Sequence, residues 1–395
     1  MIKKEFFQFS NKVSIIASEK GIEEGINKLH TLGAYRVFII SDKDVQKTGV
    51  IQIVKSAFDK NEDICVGKTY YNLEKATSIE DVDKIYIEYR KSGCDSIIAI
   101  GGTRAIYAAK ALELLLATNS RNLLEYRGID CAIRQRIIPF AVFPTTFGSG
   151  CEVSASAVII DNERKIPLKF ISDIIEPSIC ILDPRMLGTL SKQEILLNLI
   201  DIMTYNVESY VSLNGNEITK SFSKMSLFMI KNNFHDAILD ASPESLYNLQ
   251  RAACLSAIGG SNIFSGLVHA ISNSITAKYN IQHNIAVCCV VKACLEFNKD
   301  VCEKEYAQML LFSLGAKEFS TLNNNDRTEA FIRIFDNIIN FISTEFKINI
   351  RLSEYGIKEE DLESIASEVL TNEELVATPK KPSKEDLINI LKECL

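Results

Sequence analysis

The feature that most constrains the fold is a change of sequence pattern near Asp183-Pro184. Before this point, short runs rich in β-branched and aromatic residues alternate with stretches of helical periodicity. The β-rich runs are residues 35–41, 97–100 and 140–143, and helical stretches such as 81–91 and 105–117 lie between them. Such alternation is typical of a parallel sheet covered by helices on both faces. We therefore predict an α/β domain over residues 1–185.

Beyond the change, helical periodicity dominates and alternating strand patterns become rare. The helical stretches are 192–212, 244–263, 285–298 and 326–346, and the tail, 383–395, begins with a serine that is a typical helix N-cap. We therefore predict an all-helical domain over residues 186–395.

Composition excludes some classes of partner. A net charge of −7 argues against nucleic acid, because phosphate binding needs a surplus of Lys and Arg. No apolar run reaches about 18 residues, so we expect no membrane span. The first residues lack the pattern of a signal peptide, and the eleven cysteines are scattered, so we expect a cytoplasmic protein with reduced thiols.

An apolar run at residues 96–100 leads directly into Gly101-Gly102 and then into a helical stretch. Glycines let backbone N–H groups approach a phosphate closely, and the new helix adds its positive end. Taken alone, this pattern is equally typical of a tight strand–helix turn without a ligand.

A second segment makes the pattern specific. Residues 143–153 read FPTTFGSGCEV, which resembles the P-T-T-x-G-[TS]-[GA]-x-E signature of the iron-containing alcohol dehydrogenases. GGTRAIYAAK at 101–110 resembles the G-G-G-S-x-x-D-x-A-K of that family. Further similar segments follow in the family's order, at residues 181–186, 201–212 and 267–286 and in the tail. The resemblance covers nearly the whole chain.

The resemblance implies a Rossmann-like N-terminal domain, a helical C-terminal domain and a nicotinamide cofactor bound in the cleft between them. It also implies a homo-oligomer, most simply a homodimer. The implied cofactor-binding residues are Gly101, Gly102, Thr103, Thr145, Thr146, Ser149 and Lys169. Asp42, at the end of the first β-rich run, is placed to accept hydrogen bonds from the adenosine ribose, which favours NAD over NADP. Its alternative role is that of a helix N-cap.

Three residues depart from the family's phosphate-binding pattern. Thr103 stands in place of the third glycine, Arg104 in place of a serine, and Tyr107 in place of an aspartate. Arg104 offers a cation to a phosphate or points into solvent, and the sequence does not choose between them. Tyr107 is bulky enough to narrow the nicotinamide end of the cleft.

The family's metal ligands are one aspartate and three histidines, and the matching positions here are Asp201, Tyr205, His269 and His283. Tyr205 therefore replaces one histidine, and Asn273 replaces a further histidine close to the reacting carbon. In one interpretation Asp201, His269 and His283 still hold Fe(II) or Zn(II), with Tyr205 as a phenolate ligand. In the other the metal is lost, and His269 or His283 donates a proton or is a core residue without function.

The expected activity is reduction of a small aldehyde or ketone, with His269, His283 and Tyr205 as candidate catalytic residues. Residues 269–287 resemble the phosphonoacetaldehyde reductase branch, which suggests that substrate. The alternative is a metal-independent or non-catalytic relative that serves as a binding or assembly subunit.

Overall fold

The computed structural model describes residues 7–73, 76–129, 137–164 and 166–395, with the backbone alone at 129, 277, 324 and 325. The described chain forms two compact units, one spanning Asn11–Leu190 and the other Ser191–Leu395 together with the residues up to Ser10. The first unit is α/β and the second is helical, which confirms the predicted fold class.

In the α/β unit, strands and helices alternate along the chain. The strands are β1 (Ser14–Ala17), β2 (Arg36–Asp42), β3 (Cys65–Leu73), β4 (Ser96–Gly101), β5 (Gly128–Ile129), β6 (Phe140–Pro144), β7 (Ser156–Asp161), β8 (Ile166–Ile171) and β9 (Ile179–Leu182). The helices are α1 (Gly21–Thr31), α2 (Lys43–Lys47), α3 (Val50–Phe58), α4 (Ile79–Ser92) and α5 (Thr103–Thr118).

Within the described residues, six strands form one parallel sheet in the order β1-β9-β6-β4-β2-β3. The central strand β4 is apolar and wholly buried, as a strand with helices on both faces must be. Its alternate residues enter opposite cores: Ile98 and Ile100 join one hydrophobic cluster, and Ile97 and Ala99 join another. A second sheet, in the order β5-β8-β7, contains the antiparallel pair β7 and β8.

This strand order places the functional motifs at one edge of the large sheet. Strands β6, β4 and β2 are neighbours, and they end at Pro144, Gly101 and Asp42. Because parallel strands end on the same side, the loops that follow them lie together. Ligands of open α/β sheets bind at this edge.

The second unit consists of helices and short 3-10 turns. Its helices are α6 (Lys192–Val211), α7 (Glu217–Leu239), α8 (Pro243–Gly260), α9 (Leu267–Tyr279), α10 (His283–Leu314), α11 (Ala316–Ser320), α12 (Asn324–Phe346), α13 (Leu362–Val369) and α14 (Lys384–Glu393). Helix α6 starts with a capping box between Ser191 and Glu194 and packs against α7, α8, α10 and α12. Its central position buries polar side chains as well as apolar ones. No helix among the described residues is long and apolar enough to cross a membrane.

Candidate cofactor and metal sites

The turn after β4 is shaped by its two glycines. Gly101 has a φ of 148°, a conformation that a side chain would strain, and an added Cβ would lie 3.1 Å from the Cβ of Ala105. A Cβ on Gly102 would lie 2.9 Å from Cγ2 of Thr146. The two glycines therefore let the turn and the start of α5 come close to the neighbouring loop. This leaves backbone N–H groups at the N-terminus of a long helix accessible to an anion.

The loop after β6 is tied to this turn. The backbone N–H of Thr145 donates to the carbonyl of Gly101 at 3.2 Å. The hydroxyls of Thr103 and Ser149 are 3.1 Å apart, so the residue that replaces the third glycine bridges the two loops. Of the residues predicted to bind the cofactor, the structure therefore brings together Gly101, Gly102, Thr103, Thr145, Thr146 and Ser149.

Asp42 caps helix α2. It is buried, and its Oδ1 accepts hydrogen bonds from the backbone N–H groups of Asp44 and Val45, at 3.1 and 2.9 Å. Its Oδ2 lies beside the glycine turn, 3.4 Å from the position that a Cβ added to Gly101 would occupy. The N-cap role that the sequence offered for Asp42 is therefore present, and its second carboxylate oxygen lies beside the glycine turn.

Arg104 lies in the first turn of α5 and forms an ion pair with Asp44, with Nη2–Oδ2 and Nη1–Oδ2 distances of 3.3 and 3.4 Å. The sequence left its orientation open. The structure directs the guanidinium to the segment that follows β2, beside Asp42. Tyr107 is half-buried and packs against two hydrophobic clusters of the α/β unit.

Lys169 lies in the middle of β8, opposite Val158 of β7, and is partly buried. It therefore belongs to the second sheet, unlike the other residues predicted to bind the cofactor, which lie at the edge of the large sheet.

Lys110 is a residue of this region to which the sequence analysis gave no role. Its ammonium is fully buried and donates to the carbonyls of Ser154 and Ser156, at 2.6 and 2.9 Å. Burial lowers its pKa to about 8. Burial also raises the pKa of the Glu152 carboxyl. Lys110 matches the last residue of the G-G-G-S-x-x-D-x-A-K pattern, and Glu152 matches the last residue of the P-T-T-x-G-[TS]-[GA]-x-E pattern. These matches were the signal from which the sequence could have indicated a role for both residues.

In the helical unit, three side chains that lie far apart in sequence converge. Asp201 comes from the middle of α6, His269 from the first turn of α9, and His283 is the first residue of α10. One donor atom from each lies within 4.8 Å of the others. Nε2 of His269 and Nε2 of His283 are 3.5 and 3.6 Å from Oδ1 of Asp201.

These distances suit a metal better than hydrogen bonds. They exceed the usual N–H···O range, and within the described residues Oδ1 of Asp201 is buried without a hydrogen-bond partner. Two ligands of a tetrahedral metal, each about 2.1 Å from the ion, lie about 3.4 Å apart. The orphaned oxygen and the two imidazoles therefore fit around a divalent cation.

The charges of these groups are compatible with metal binding. Burial alone would raise the pKa of Asp201, but the adjacent imidazoles of His269 and His283 outweigh that effect and hold the pKa well below its usual range. Burial likewise opposes a charge on His269, yet the carboxylates of Glu208 and Asp201 raise its pKa. The cluster therefore attracts positive charge, whether a proton or a metal ion.

The sequence matches known families over most of its length. Residues 13–184 match the iron-containing alcohol dehydrogenase family, and residues 197–395 match the C-terminal domain of the Fe-containing alcohol dehydrogenase family. The chain belongs to the iron-containing alcohol dehydrogenases.

Three of the similar proteins are distant in sequence but match over nearly their whole length. The NAD-dependent methanol dehydrogenase of Bacillus methanolicus is 24% identical over 377 residues, which cover 95% of this chain and 96% of that protein. The alcohol dehydrogenase from Oenococcus oeni has the same fold, with a TM-score of 0.91 at 22% identity over 99% of this chain and 100% of its own. The NAD+ complex of sulfoacetaldehyde reductase from Bifidobacterium kashiwanohense has a TM-score of 0.82 at 17% identity, and 98% of each chain is covered.

Tyr205 is the first departure from the family's ligand pattern. It lies one turn beyond Asp201 on α6, and its ring meets that of His269 edge to face, with centroids 5.4 Å apart. The ring lies against Gly260, where an added Cβ would be 2.1 Å from Cε1 of the tyrosine. Burial raises the pKa of Tyr205, and the carboxylates of Glu374, Glu208 and Asp201 raise it further. In the metal-free protein, these surroundings favour the neutral phenol.

Asn273 is the second departure. It lies one turn beyond His269 on α9, and its Nδ2 is 3.3 Å from Oε2 of Glu374. Glu374 is buried in a 3-10 turn at Glu373–Ala377. Sequence reasoning gave no role to Glu374, because nothing in its local pattern separates it from a surface glutamate.

Proposed function

We propose that this chain is an NAD(H)-dependent oxidoreductase that interconverts a small aldehyde or ketone with its alcohol by hydride transfer. The observation that carries the proposal is the convergence of Asp201, His269 and His283, with donor atoms within 4.8 Å of one another, in a member of this family. The sequence alone left open whether these positions still form a site.

In this proposal Asp201, His269 and His283 hold Fe(II) or Zn(II). A metal ion bound there would polarise the substrate carbonyl and stabilise the alkoxide. Asp201 supplies the charge, and the histidines supply two imidazole nitrogens, a donor set that suits either metal. The ring of Tyr205 lies edge to face against that of His269, and we assign its hydroxyl a place beside the reacting oxygen rather than the role of a fourth ligand.

The cofactor is NAD in preference to NADP. Gly101, Gly102, Thr103, Thr145, Thr146 and Ser149 would bind the pyrophosphate and ribose portions, and Lys169 would lie near the nicotinamide ribose. Asp42 is the last residue of β2 and Asp44 lies two residues beyond it, where its carboxylate offsets the charge of Arg104. Two carboxylates at this place disfavour a 2′-phosphate.

Phosphonoacetaldehyde is the first substrate to test, because residues 269–287 resemble the branch of the family that reduces it. The broader class is a small aldehyde or ketone. We further propose that the protein acts as a homodimer, as the family resemblance implies, and that it is cytoplasmic, as its scattered cysteines suggest.

A second candidate function is that of a metal-independent or non-catalytic relative, which serves as a binding or assembly subunit. Tyr205 and Asn273 favour it, since both replace histidines at chemically important positions.

The decisive experiment mixes the purified protein with NADH and a panel of aldehydes under anaerobic conditions, with Fe(II) or Zn(II) added, and follows NADH oxidation. We expect turnover that needs a metal and is lost in Asp201→Ala. Turnover that survives chelation would support the metal-independent relative. No turnover, together with no NADH binding by calorimetry, would overturn the proposed activity in favour of the non-catalytic subunit.

A further inference from the structure

Glu208 is a buried glutamate on the same face of α6 as Asp201 and Tyr205. The three lie at positions i, i+4 and i+7, which share one side of a helix. Only 7% of the residue is exposed. A buried carboxylate costs free energy unless its oxygens are satisfied, so its partners indicate why it is there.

The partners of Glu208 lie at the start of α9. Its Oε1 accepts hydrogen bonds from the backbone N–H groups of Val268 and His269, at 2.6 and 3.4 Å. Its Oε2 is 2.5 Å from Nδ1 of His269. A carboxylate only accepts hydrogen bonds, so Nδ1 is the donor. The other ring nitrogen, Nε2, then faces Asp201.

Helix α9 depends on this contact for its N-cap. Its N-cap residue is Gly266, which has no side chain to satisfy the first N–H groups of the helix. An added Cβ on Gly266 would lie 2.8 Å from Oε1 of Glu208, so the glycine lets the carboxylate come close. The negative charge is also favourable at the positive end of the helix.

We propose that Glu208 is the positioning residue for His269: it caps α9 with one oxygen and, with the other, fixes the imidazole so that Nε2 is the nitrogen offered to the metal. The inference rests on the proposed metal site for its function, but the orientation itself is a property of the protein without metal. Carboxylates bonded to the distal nitrogen of a ligand histidine commonly orient it and raise its basicity.

The replacement of a ligand histidine by Tyr205 makes this role more consequential. With three donors instead of four, the orientation of each imidazole accounts for a larger share of the metal affinity. Loss of the Glu208 contact should therefore be severe in this chain, and a histidine restored at position 205 should compensate for it.

The test variant is Glu208→Gln, which keeps the size of the side chain. An amide has one accepting oxygen and one donating nitrogen, so it cannot accept from both the α9 backbone and Nδ1 of His269. The matched control is Glu194→Gln on the same helix. Glu194 also accepts from backbone, at 2.8 Å from the Ser191 nitrogen, but it caps α6 itself. Thermal unfolding by circular dichroism verifies that each variant folds.

Zinc affinity is measured by competition with a chelator. We expect Glu208→Gln to bind Zn(II) about 10- to 100-fold more weakly than the wild type, with Glu194→Gln unchanged. Adding Tyr205→His to Glu208→Gln should recover about 10-fold. Equal zinc affinity in Glu208→Gln and the wild type, or an equal loss in Glu194→Gln, would overturn the assignment.

Imidazole proton–nitrogen spectra provide a second readout, and they are simple because the sequence has four histidines. In the metal-free wild type we expect a slowly exchanging Nδ1–H signal from His269 that disappears in Glu208→Gln. If the wild type binds no zinc, the proposed metal site fails, and this signal alone decides the role of Glu208. Its absence from the wild type refutes the inference.

Discussion

The cofactor loops of the α/β unit and the Asp201 cluster of the helical unit use opposite means to form a site. The loops rely on backbone geometry: Gly101 and Gly102 allow a close approach, and Thr145 bonds the turn through its main chain. The cluster relies on individual side-chain atoms, with Oδ1 of Asp201 between two imidazole nitrogens. Both units contain residues that differ from the family pattern, but these replacements affect the two sites to different degrees.

A site built from backbone tolerates new side chains. The hydroxyl of Thr103 lies beside that of Ser149, Arg104 pairs with Asp44, and Tyr107 packs on hydrophobic residues, so each side chain has a partner outside the glycine turn. A site built from side-chain atoms has no such tolerance, because replacing one ligand changes the donor set itself. Tyr205 therefore alters the chemistry of its unit more than the three replacements in the cofactor loops alter theirs.

Loss of Asp201 should have the largest effect, because it removes a donor atom from the cluster in the helical unit. Asp201→Ala removes the carboxylate between the two imidazoles, and we expect metal affinity to fall more than about 100-fold, beyond the loss typical of outer-shell changes. Metal analysis after dialysis measures it. NADH binding, measured by calorimetry, should not change, and a parallel loss of NADH affinity would mean that the two sites are not independent.

A side chain added to the glycine turn should weaken cofactor binding by a smaller factor. Gly101→Ala adds a Cβ at a φ of 148°, which costs about 1–3 kcal/mol of strain. We expect NADH to bind about 10-fold more weakly, as measured by calorimetry, while zinc affinity is unchanged. Gly188→Ala is the control, since among the described residues no atom outside its two chain neighbours lies within 4 Å of its added Cβ. Unchanged NADH affinity in Gly101→Ala would contradict the role given to this turn.

A third prediction compares thiols of the two units at alkaline pH. Burial raises the pKa of Cys302 in the helical unit to about 12, whereas an unfolded thiol titrates near 8.5. Above about pH 8.5 the thiol of Cys302 therefore keeps its proton in the folded state and loses it in the unfolded state. The free energy of unfolding falls as a result. We expect Cys302 to account for about 2 kcal/mol of lost unfolding free energy between pH 8 and pH 10.

Urea unfolding of the wild type and Cys302→Ala at both pH values, with reductant present, measures this contribution. The variant should lose less stability than the wild type. Cys65→Ala in the α/β unit is the control, because its thiol is exposed. Identical pH dependence in Cys302→Ala and the wild type would contradict the prediction.

Removal of the Tyr205 hydroxyl should have the smallest effect on metal binding. Tyr205→Phe removes only a hydroxyl, and burial beside three carboxylates keeps that hydroxyl protonated. We expect zinc affinity to change by less than about 2-fold, because a neutral phenol is a poor ligand. A large fall in affinity would show that Tyr205 binds as phenolate and that the site has four ligands.

Much of the fold could be predicted from local pattern. The apolar run before Gly101 became β4, the glycines became the turn, and the stretch at 105–117 became most of α5. Ser383 caps α14 as its position suggested. These features depend on residues close together in the chain. The hydrophobic periodicity and the helix-end signals that predict them can therefore be recognised in the sequence without tertiary contacts.

Local sequence pattern therefore predicted three strands, including β4 and β6 of the central sheet, and the change to a helical domain, and the family resemblance supplied the candidate ligands. Only the tertiary structure decided that His269 and His283 meet Asp201, that Arg104 turns to Asp44, and that Glu208 orients His269. Each of these contacts joins different helices or loops. Their geometry is set by how apolar faces pack over the whole unit, and no short stretch of sequence contains that information.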